Sequence, residues 1–379
     1  MKPILPGGTL GLLGGGQLGR MVAMAARALG YRVHALDPDP NCPARGVVDE
    51  TIVAPFDDEL AAAWLARRCD VVTLEIEKIA LPVLEAAAQR TFVRPGATVL
   101  GMVQDRGRQK RWLTDHGFPV GPWRACDSAA EVAQACHDYG DQAFVKACFG
   151  GYDGRGQVHV THAAEAADAF DALGRVPVVV EKALALDVEL SVMVARRPSG
   201  EIRAFPPSLN HHEDRILAWS VLPAPLPAPL LARAEAIARE IALASRIEGV
   251  LAIEMFVIDG DLKVNELAPR PHNSFHATER GTVTSQFEQL VRAVCDLPLG
   301  DTAVVQPTAI VNLLGDLWLG PQPPDLAAAL ALPGVRLHLY GKTDARPGRK
   351  MGHLSAIGAT PAEAIAQARR AEGVLRGVT

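Results

Sequence analysis

Residues 249–270, GVLAIEMFVIDGDLKVNELAPR, read as two strands folded back on each other. IEMFVI and LKVNEL alternate apolar with polar side chains, and Asp259-Gly260-Asp261 between them is turn chemistry. Pairing the strands symmetrically about Gly260 sets Glu254 opposite Glu266, their Cβ atoms about 4.5–5.5 Å apart. A bulge at Gly260 would shift that register by one. Facing carboxylates destabilise a sheet unless a cation lies between them. Oxygen-only ligands suit Mg2+ or Mn2+, and Mg2+ takes one or two carboxylates together with substrate phosphates. Two solvated glutamates on an open face are the alternative, so the rest of the chain has to supply the phosphate site.

It offers two places for one. In VKACFGGYDGRGQ, residues 145–157, Lys146 ends a strand and Gly150, Gly151, Gly154 and Gly156 follow within seven residues. Glycines free the backbone to adopt positive φ and approach a ligand. Successive N–H groups then form an anion-binding nest, to which Lys146 and Arg155 add charge. The GK[ST] ending of a Walker loop is missing; a plain hairpin tip needs fewer glycines. Near the other end, Lys342, Arg346, Arg349 and Lys350 fall within nine residues of YGKTDARPGRKMGH, a cluster suited to an anionic substrate such as a sugar phosphate. Between these, EKALALDVE (181–189) follows an apolar strand; its backbone could meet a purine edge and Glu189 a ribose, or it is simply the end of a buried strand.

The N-terminal part carries a competing signal. Residues 12–21, LLGGGQLGRM, contain Gly14-x-Gly16-x-x-Gly19, with a short apolar strand before them, a helix ending near Gly30 after them and a second strand ending at Asp37. That is the dinucleotide fingerprint. DVVTLEIE and LPVLEAAAQR continue the strand–helix alternation, which predicts a parallel sheet flanked by helices. Only about one of the two βαβαβ halves of a full dinucleotide-binding domain is visible, which weighs against an NAD-dependent oxidoreductase.

Composition narrows the class. Of 379 residues, 21% are charged and 49% hydrophobic, which is ordinary for a globular protein of two or three domains. A net charge of −5 offers no basic surface for nucleic acid. No run approaches 18 apolar residues and the N-terminus breaks at Pro6-Gly7-Gly8, so the expectation is a cytoplasmic protein with no membrane partner. The six cysteines form no CxxC and are expected to be reduced, structural thiols.

Taken together, GGGQLGRM, QDRGRQK, VKACFGGYDGRGQ, VVEKALALDVELSVMVAR, NELAPRPHNS, LHLYGK and RPGRKMGH resemble, in order and over nearly the whole chain, the 5-(carboxyamino)imidazole ribonucleotide synthases, ATP-grasp ligases of purine biosynthesis. The resemblance implies a mixed α/β and α+β architecture. A Rossmann-like domain over 1–103 would precede an ATP-grasp region over 104–295, with a lid at about 118–181, and a C-terminal domain over 296–379. It further implies a homodimer, ATP and Mg2+ as cofactors, and carboxylation of 5-aminoimidazole ribonucleotide from bicarbonate through carboxyphosphate.

Residue roles follow from the matched motifs. Arg106 and Lys146 would meet nucleotide phosphates, with Gly151, Tyr152, Asp153, Gly154, Arg155, Gly156 and Gln157 closing over them. Glu181, Lys182, Ala183 and Leu184 would hold adenine, Glu189 the ribose, and His212 a further nucleotide contact. Glu254 and Glu266 would ligate Mg2+ with Asn265 beside them. Arg270, Lys342 and Arg349 would serve catalysis, Arg270 facing bicarbonate or carboxyphosphate. Gln17, Leu18, Glu75, Tyr152, Asp153, Arg155, Asn273 and Ser274 would line the ribonucleotide pocket, and Lys342, Arg349 and Lys350 would take its 5′-phosphate. The Gly14–Gly19 turn would border that pocket rather than bind NAD.

Three positions depart from the family pattern: Phe275 stands for glycine, Ala277 for an aromatic and Lys78 for asparagine. Phe275 is expected to add bulk beside Arg270. Formate-dependent glycinamide ribonucleotide transformylase, another ATP-grasp enzyme, and a non-catalytic nucleotide sensor remain as alternatives.

Overall fold

The computed structural model describes residues 2–150 and 156–377. The first hundred residues form a parallel sheet of β1 (Thr9–Leu13), β2 (Arg32–Asp37), β3 (Glu50–Val53), β4 (Val71–Leu74) and β5 (Phe92–Val93), in the order β3-β2-β1-β4-β5. Five strands of a doubly wound sheet are thus present, more than the half expected above. The two that escaped notice are short: β3 has four residues and β5 two, too few to show periodicity. β1 is buried along its whole length, as a central strand covered on both faces must be.

A second, four-stranded antiparallel sheet contains β6 (Trp123–Cys126), β7 (Ala143–Ala147), β8 (Gln157–Val160) and β9 (Val178–Lys182), ordered β6-β9-β7-β8. Helices Ala129–Asp138 and Ala166–Ala172 close over it around Val132, Val145, Val180 and Phe170. Ser128 caps the first of these helices by accepting from the Glu131 N–H at 3.3 Å.

The third sheet is antiparallel and has nine strands: β10 (Val188–Arg196), β11 (Ile202–Ala204), β12 (Ser208–Glu213), β13 (Ile216–Leu222), β14 (Gly249–Ile258), β15 (Asp261–Ala268), β16 (Thr308–Leu314), β17 (Val335–Leu339) and β18 (Lys350–Ile357). Their order is β15-β14-β10-β12-β13-β16-β18-β17, with β11 on β10. Along β10 and β14 both faces are buried. Leu190, Val192, Val194, Leu251 and Ile253 share a core with Ala234, Ala238 and Ile241 of helix Ala228–Ser245. Met193, Ala195, Val250 and Ala252 share the other with Phe287 and Leu290 of helix Gln286–Val294, together with Leu18, Met21 and Val22 of helix Gln17–Ala28. Helix Gln286–Val294 therefore lies between the N-terminal domain's first helix and the large sheet. β16–β18 extend the same sheet, covered by Ala364, Ala368, Ala371 and Leu375 of helix Pro361–Leu375.

The hairpin of β14 and β15 pairs Glu254 with Glu266, but not by symmetry about Gly260. Asp259 and Gly260, at φ 50° and 77°, form a two-residue turn with both centres left-handed. From it run the pairs Ile258–Asp261, Val257–Leu262, Phe256–Lys263 and Met255–Val264, a register that would set Glu254 against Asn265. A bulge leaves Asn265 unpaired and restores Glu254 to Glu266. The expected pairing is present, but it comes from a two-residue turn and a bulge at Asn265 rather than from symmetry about Gly260.

Candidate active site

The glycine turn at the N-terminus is already filled. Gly15 N–H donates to Asp37 Oδ2 at 2.7 Å, and Gly16 and Gly19 N–H donate to Glu75 Oε1 and Oε2 at 2.9 and 3.2 Å. Glu75 comes from the end of β4, buried, and the glycines exist to make room for it. A Cβ at Gly14 or Gly16 would lie 2.7 Å from Glu75 Oε1, and one at Gly19 would lie 2.6 Å from the Gly14 carbonyl. Burial pushes the Glu75 carboxyl above its ordinary range; the two N–H donors pull it back. The helix N-terminus thus meets a carboxyl group of its own chain. Leu18 packs in the core, so only its backbone can face a ligand; Gln17 is half-buried.

Lys146 on β7 and Lys110 on helix Arg106–Asp115 converge on Glu181 of β9. Their Nζ atoms lie 3.1 and 3.2 Å from its two oxygens. Burial would raise the Glu181 acid, but the two ammonium groups outweigh it and hold the group at about 2. Burial draws Lys110 below its ordinary value. Arg106 reaches back to the Ala147 carbonyl at 2.9 Å. Lys182 N–H and Ala183 N–H donate to the carbonyls of Pro122 and Gln142, fixing the stretch through Leu184 that leads from the small sheet to β10. Gly151, Tyr152, Asp153, Gly154 and Arg155 lie outside the described residues. Their flanks, Gly150 and Gly156, have φ of 81° and 73°, and Gln157 pairs with Lys146.

Glu254 sits among five other polar groups. Its Oε1 is 3.2 Å from His272 Nε2, and Asn265 Nδ2 donates to its Oε2 at 3.4 Å. Burial and the facing Glu266 push its acid up to about 7. Next in the row, His212 Nδ1 lies 2.7 Å from Glu189 Oε2, and that carboxylate raises the imidazole above its usual value against the effect of burial. These donors fit a divalent cation: two carboxylates face each other, and one resists ionisation for want of positive charge.

Arg270, just beyond β15, pairs with Glu77 at 3.0 Å and donates to the Pro271 carbonyl at 3.1 Å. Ser274 is fully buried, its Oγ 2.8 Å from His272 Nδ1, and its carbonyl accepts from Ser208 and Ser220. Asn273 Oδ1 contacts His276 Nε2 at 3.1 Å. Burial, with Arg270 and Lys350 nearby, keeps His272 well below the usual histidine range. Phe275 does not crowd this region. It is 0% exposed and packs against Phe205 with ring centroids 6.1 Å apart, so the expected bulk beside Arg270 is absent. Ala277 is buried with it, and Lys78 is on the surface.

Of the C-terminal cations, Lys342 donates to the Lys350 carbonyl at 2.7 Å and sits 5.6 Å from the Tyr340 ring centre. Lys350 is 5% exposed. Arg349 donates to the Asp344 carbonyl, whereas Arg346 is exposed and pairs with the Asp344 carboxylate. Nearby, His338 and His353 each hold a ring nitrogen 3.6 Å from Glu279 Oε2. The two rings stack 4.5 Å apart within 6° of parallel, so an ion in one ring's plane lies outside the other's, and the group does not converge on a metal. Lys110, Glu77 and His272 belong to the site and were not singled out from the sequence. Lys110 and His272 left a trace, since they lie within the quoted stretches QDRGRQK and NELAPRPHNS.

Known proteins resemble the chain over nearly its whole length. Residues 8–104 match the ribonucleotide synthetase preATP-grasp domain, 111–287 the ATP-grasp domain and 308–367 the phosphoribosylaminoimidazole carboxylase C-terminal domain. The chain is 40% identical to the N5-carboxyaminoimidazole ribonucleotide synthase of Brucella melitensis, over 93% of this chain and 97% of that one. It is 39% identical to that of Bacillus subtilis, over 93% and 92%. A solved N5-carboxyaminoimidazole ribonucleotide synthetase in complex with ADP superposes with a TM-score of 0.92 at 38% identity, over 98% of both chains. The Aspergillus clavatus enzyme with ADP and 5-aminoimidazole ribonucleotide gives 0.90 at 31%, over 98% and 99%. With identity at this level along almost its full length, the chain belongs to the N5-carboxyaminoimidazole ribonucleotide synthase family of ATP-grasp ligases.

Proposed function

We propose that this protein uses ATP and bicarbonate to carboxylate the exocyclic amine of 5-aminoimidazole ribonucleotide. The products are N5-carboxyaminoimidazole ribonucleotide, ADP and phosphate. The observation that carries the reading is the Glu254–Glu266 pair. Two facing carboxylates that repel need a cation, and Mg2+ or Mn2+ held there brings a polyphosphate with it. When bound, the ion supplies charge neutralisation on the transferring phosphoryl group.

The chain's own residues do the rest. Lys146 and Arg106 neutralise phosphate oxygens, and Glu181 keeps Lys146 in place for it. Backbone groups of 181–184 hold adenine, with Glu189 and His212 at the ribose. A bicarbonate oxygen attacks the γ-phosphorus, ADP leaves, and carboxyphosphate forms under Arg270. The amine nitrogen then bonds to the carboxyl carbon, directly or after CO2 is released, and phosphate and a proton depart. Lys342, Arg349 and Lys350 anchor the 5′-phosphate; Asn273, Ser274 and Glu75 shape the pocket with Gln17 and Leu18. The same reading makes the protein a cytoplasmic homodimer, to be tested by sedimentation. No helix among the described residues is long and apolar enough to cross a membrane.

Phosphate release from Mg-ATP with bicarbonate, with and without the ribonucleotide, tests the proposal. Release that rises with the ribonucleotide and yields the acid-labile carbamate supports it. ATP binding without ribonucleotide-dependent release would overturn it.

A further inference from the structure

Glu77 belongs to the N-terminal sheet by sequence and to the ligase site by position. It lies in the turn after β4, and that turn is fixed: Gln104 Nε2 donates to the carbonyls of Glu77 and Ile79 at 2.6 and 2.7 Å, and the Ile79 side chain is fully buried. From this anchored backbone the carboxylate reaches Arg270, Oε1 to Nε 3.0 Å, with the two side chains only 25% and 19% exposed. A carboxylate largely removed from water is costly unless a specific cation compensates it. Here burial, with the neighbouring Glu266, pushes the Glu77 acid above its ordinary range, and Arg270 pulls it back only in part. A long arginine side chain left to itself samples many rotamers; here Nε lies against the fixed carboxylate and Nη1 donates to the Pro271 carbonyl at 3.1 Å, so the guanidinium is held in one orientation.

We propose that Glu77 is a positioning residue for Arg270: the N-terminal domain supplies, through it, the strut that orients the guanidinium toward the carboxyl-donor anion. This rests on the proposed function, in which Arg270 faces bicarbonate and carboxyphosphate. Glu77 itself touches neither.

The test compares wild type with Glu77→Ala, Glu77→Gln, Arg270→Lys and the Glu77→Ala/Arg270→Lys double variant. KM and kcat are measured separately for bicarbonate, ATP and the ribonucleotide. Glu77→Ala is expected to lower kcat/KM for bicarbonate about 10- to 100-fold, the scale of a misplaced reacting group, with KM for ATP within about twofold. Glu77→Gln, which keeps the shape and an acceptor oxygen but not the charge, recovers part of that loss. The double variant falls no further than Arg270→Lys within about twofold, because the residues act as one unit. Losses that multiply, or a KM for ATP or the ribonucleotide raised as much as that for bicarbonate, would overturn the proposal. Labelling with an arginine-selective dicarbonyl, mapped by mass spectrometry, separates it from the function reading. Faster modification of Arg270 in Glu77→Ala is expected whatever the reaction proves to be, and an unchanged rate means the pair does not hold the guanidinium. A wild type without bicarbonate-dependent turnover would sink the function and leave the labelling result standing.

Discussion

Glu254 faces Glu266 only because Asn265, one residue earlier in its strand, is left out of the ladder. The bulge turns a hairpin that would pair carboxylate with amide into one that pairs two carboxylates, one of them protonating near neutrality.

Relieving that repulsion has opposite effects on stability and function. Glu266→Gln should leave the unliganded protein at least as stable as wild type, since a buried like-charge contact disappears. The thermal shift given by Mg-ATP should vanish and turnover should drop by about 100-fold or more. Melting curves with and without Mg-ATP check both; a variant that keeps the shift would remove Glu266 from the cation site.

Glu181 makes stability fall in acid. Its folded-state value, about 2, lies below the ordinary 4.5, so its contribution is complete above about pH 4.5 and is lost as pH falls toward 2. Glu181→Gln leaves Lys110 buried without its partner. The variant should be less stable at pH 7 by up to about 3 kcal/mol, with the difference shrinking toward pH 3 as the wild type loses its advantage. Urea midpoints at the two pH values decide this, and a gap that stays constant would count against the pair.

Phe275→Ala should be a stability variant and not a substrate variant. Emptying the space against Phe205 costs about 3–5 kcal/mol, whereas KM for the ribonucleotide should remain within about twofold. A large KM change in still-folded protein would put Phe275 back at the site.

The filled glycine turn predicts that NADH gives no saturable fluorescence signal with wild type. It also predicts that Gly19→Ala, whose new Cβ would meet a backbone carbonyl at 2.6 Å, destabilises the N-terminal domain. Saturable NADH binding would show that Glu75 can be displaced.

Much of this was legible in the residues. The alternation of β14 and β15 around Asp-Gly announced the hairpin, and the glycine-rich and basic segments stood out by composition. What escaped depends on three-dimensional return paths. The bulge at Asn265 has no glycine to mark it, so the Glu254–Glu266 pairing was reached by assuming symmetry about Gly260 instead. Phe275 read as an intruder because sequence places it five residues from Arg270; the 3-10 turn at Asn273–Phe275 buries it instead. Lys110 and Glu77 meet Glu181 and Arg270 from distant segments, which no local window contains.

Glu75 carries a lesson about what a motif encodes. The letters Gly14-x-Gly16-x-x-Gly19 say only that a backbone is bare enough to receive an anion. Whether the anion comes from solution or from the chain is written some sixty positions later, in a single letter at the end of another strand. A pattern search that stops at the helix is reading a socket without asking whether it has been plugged.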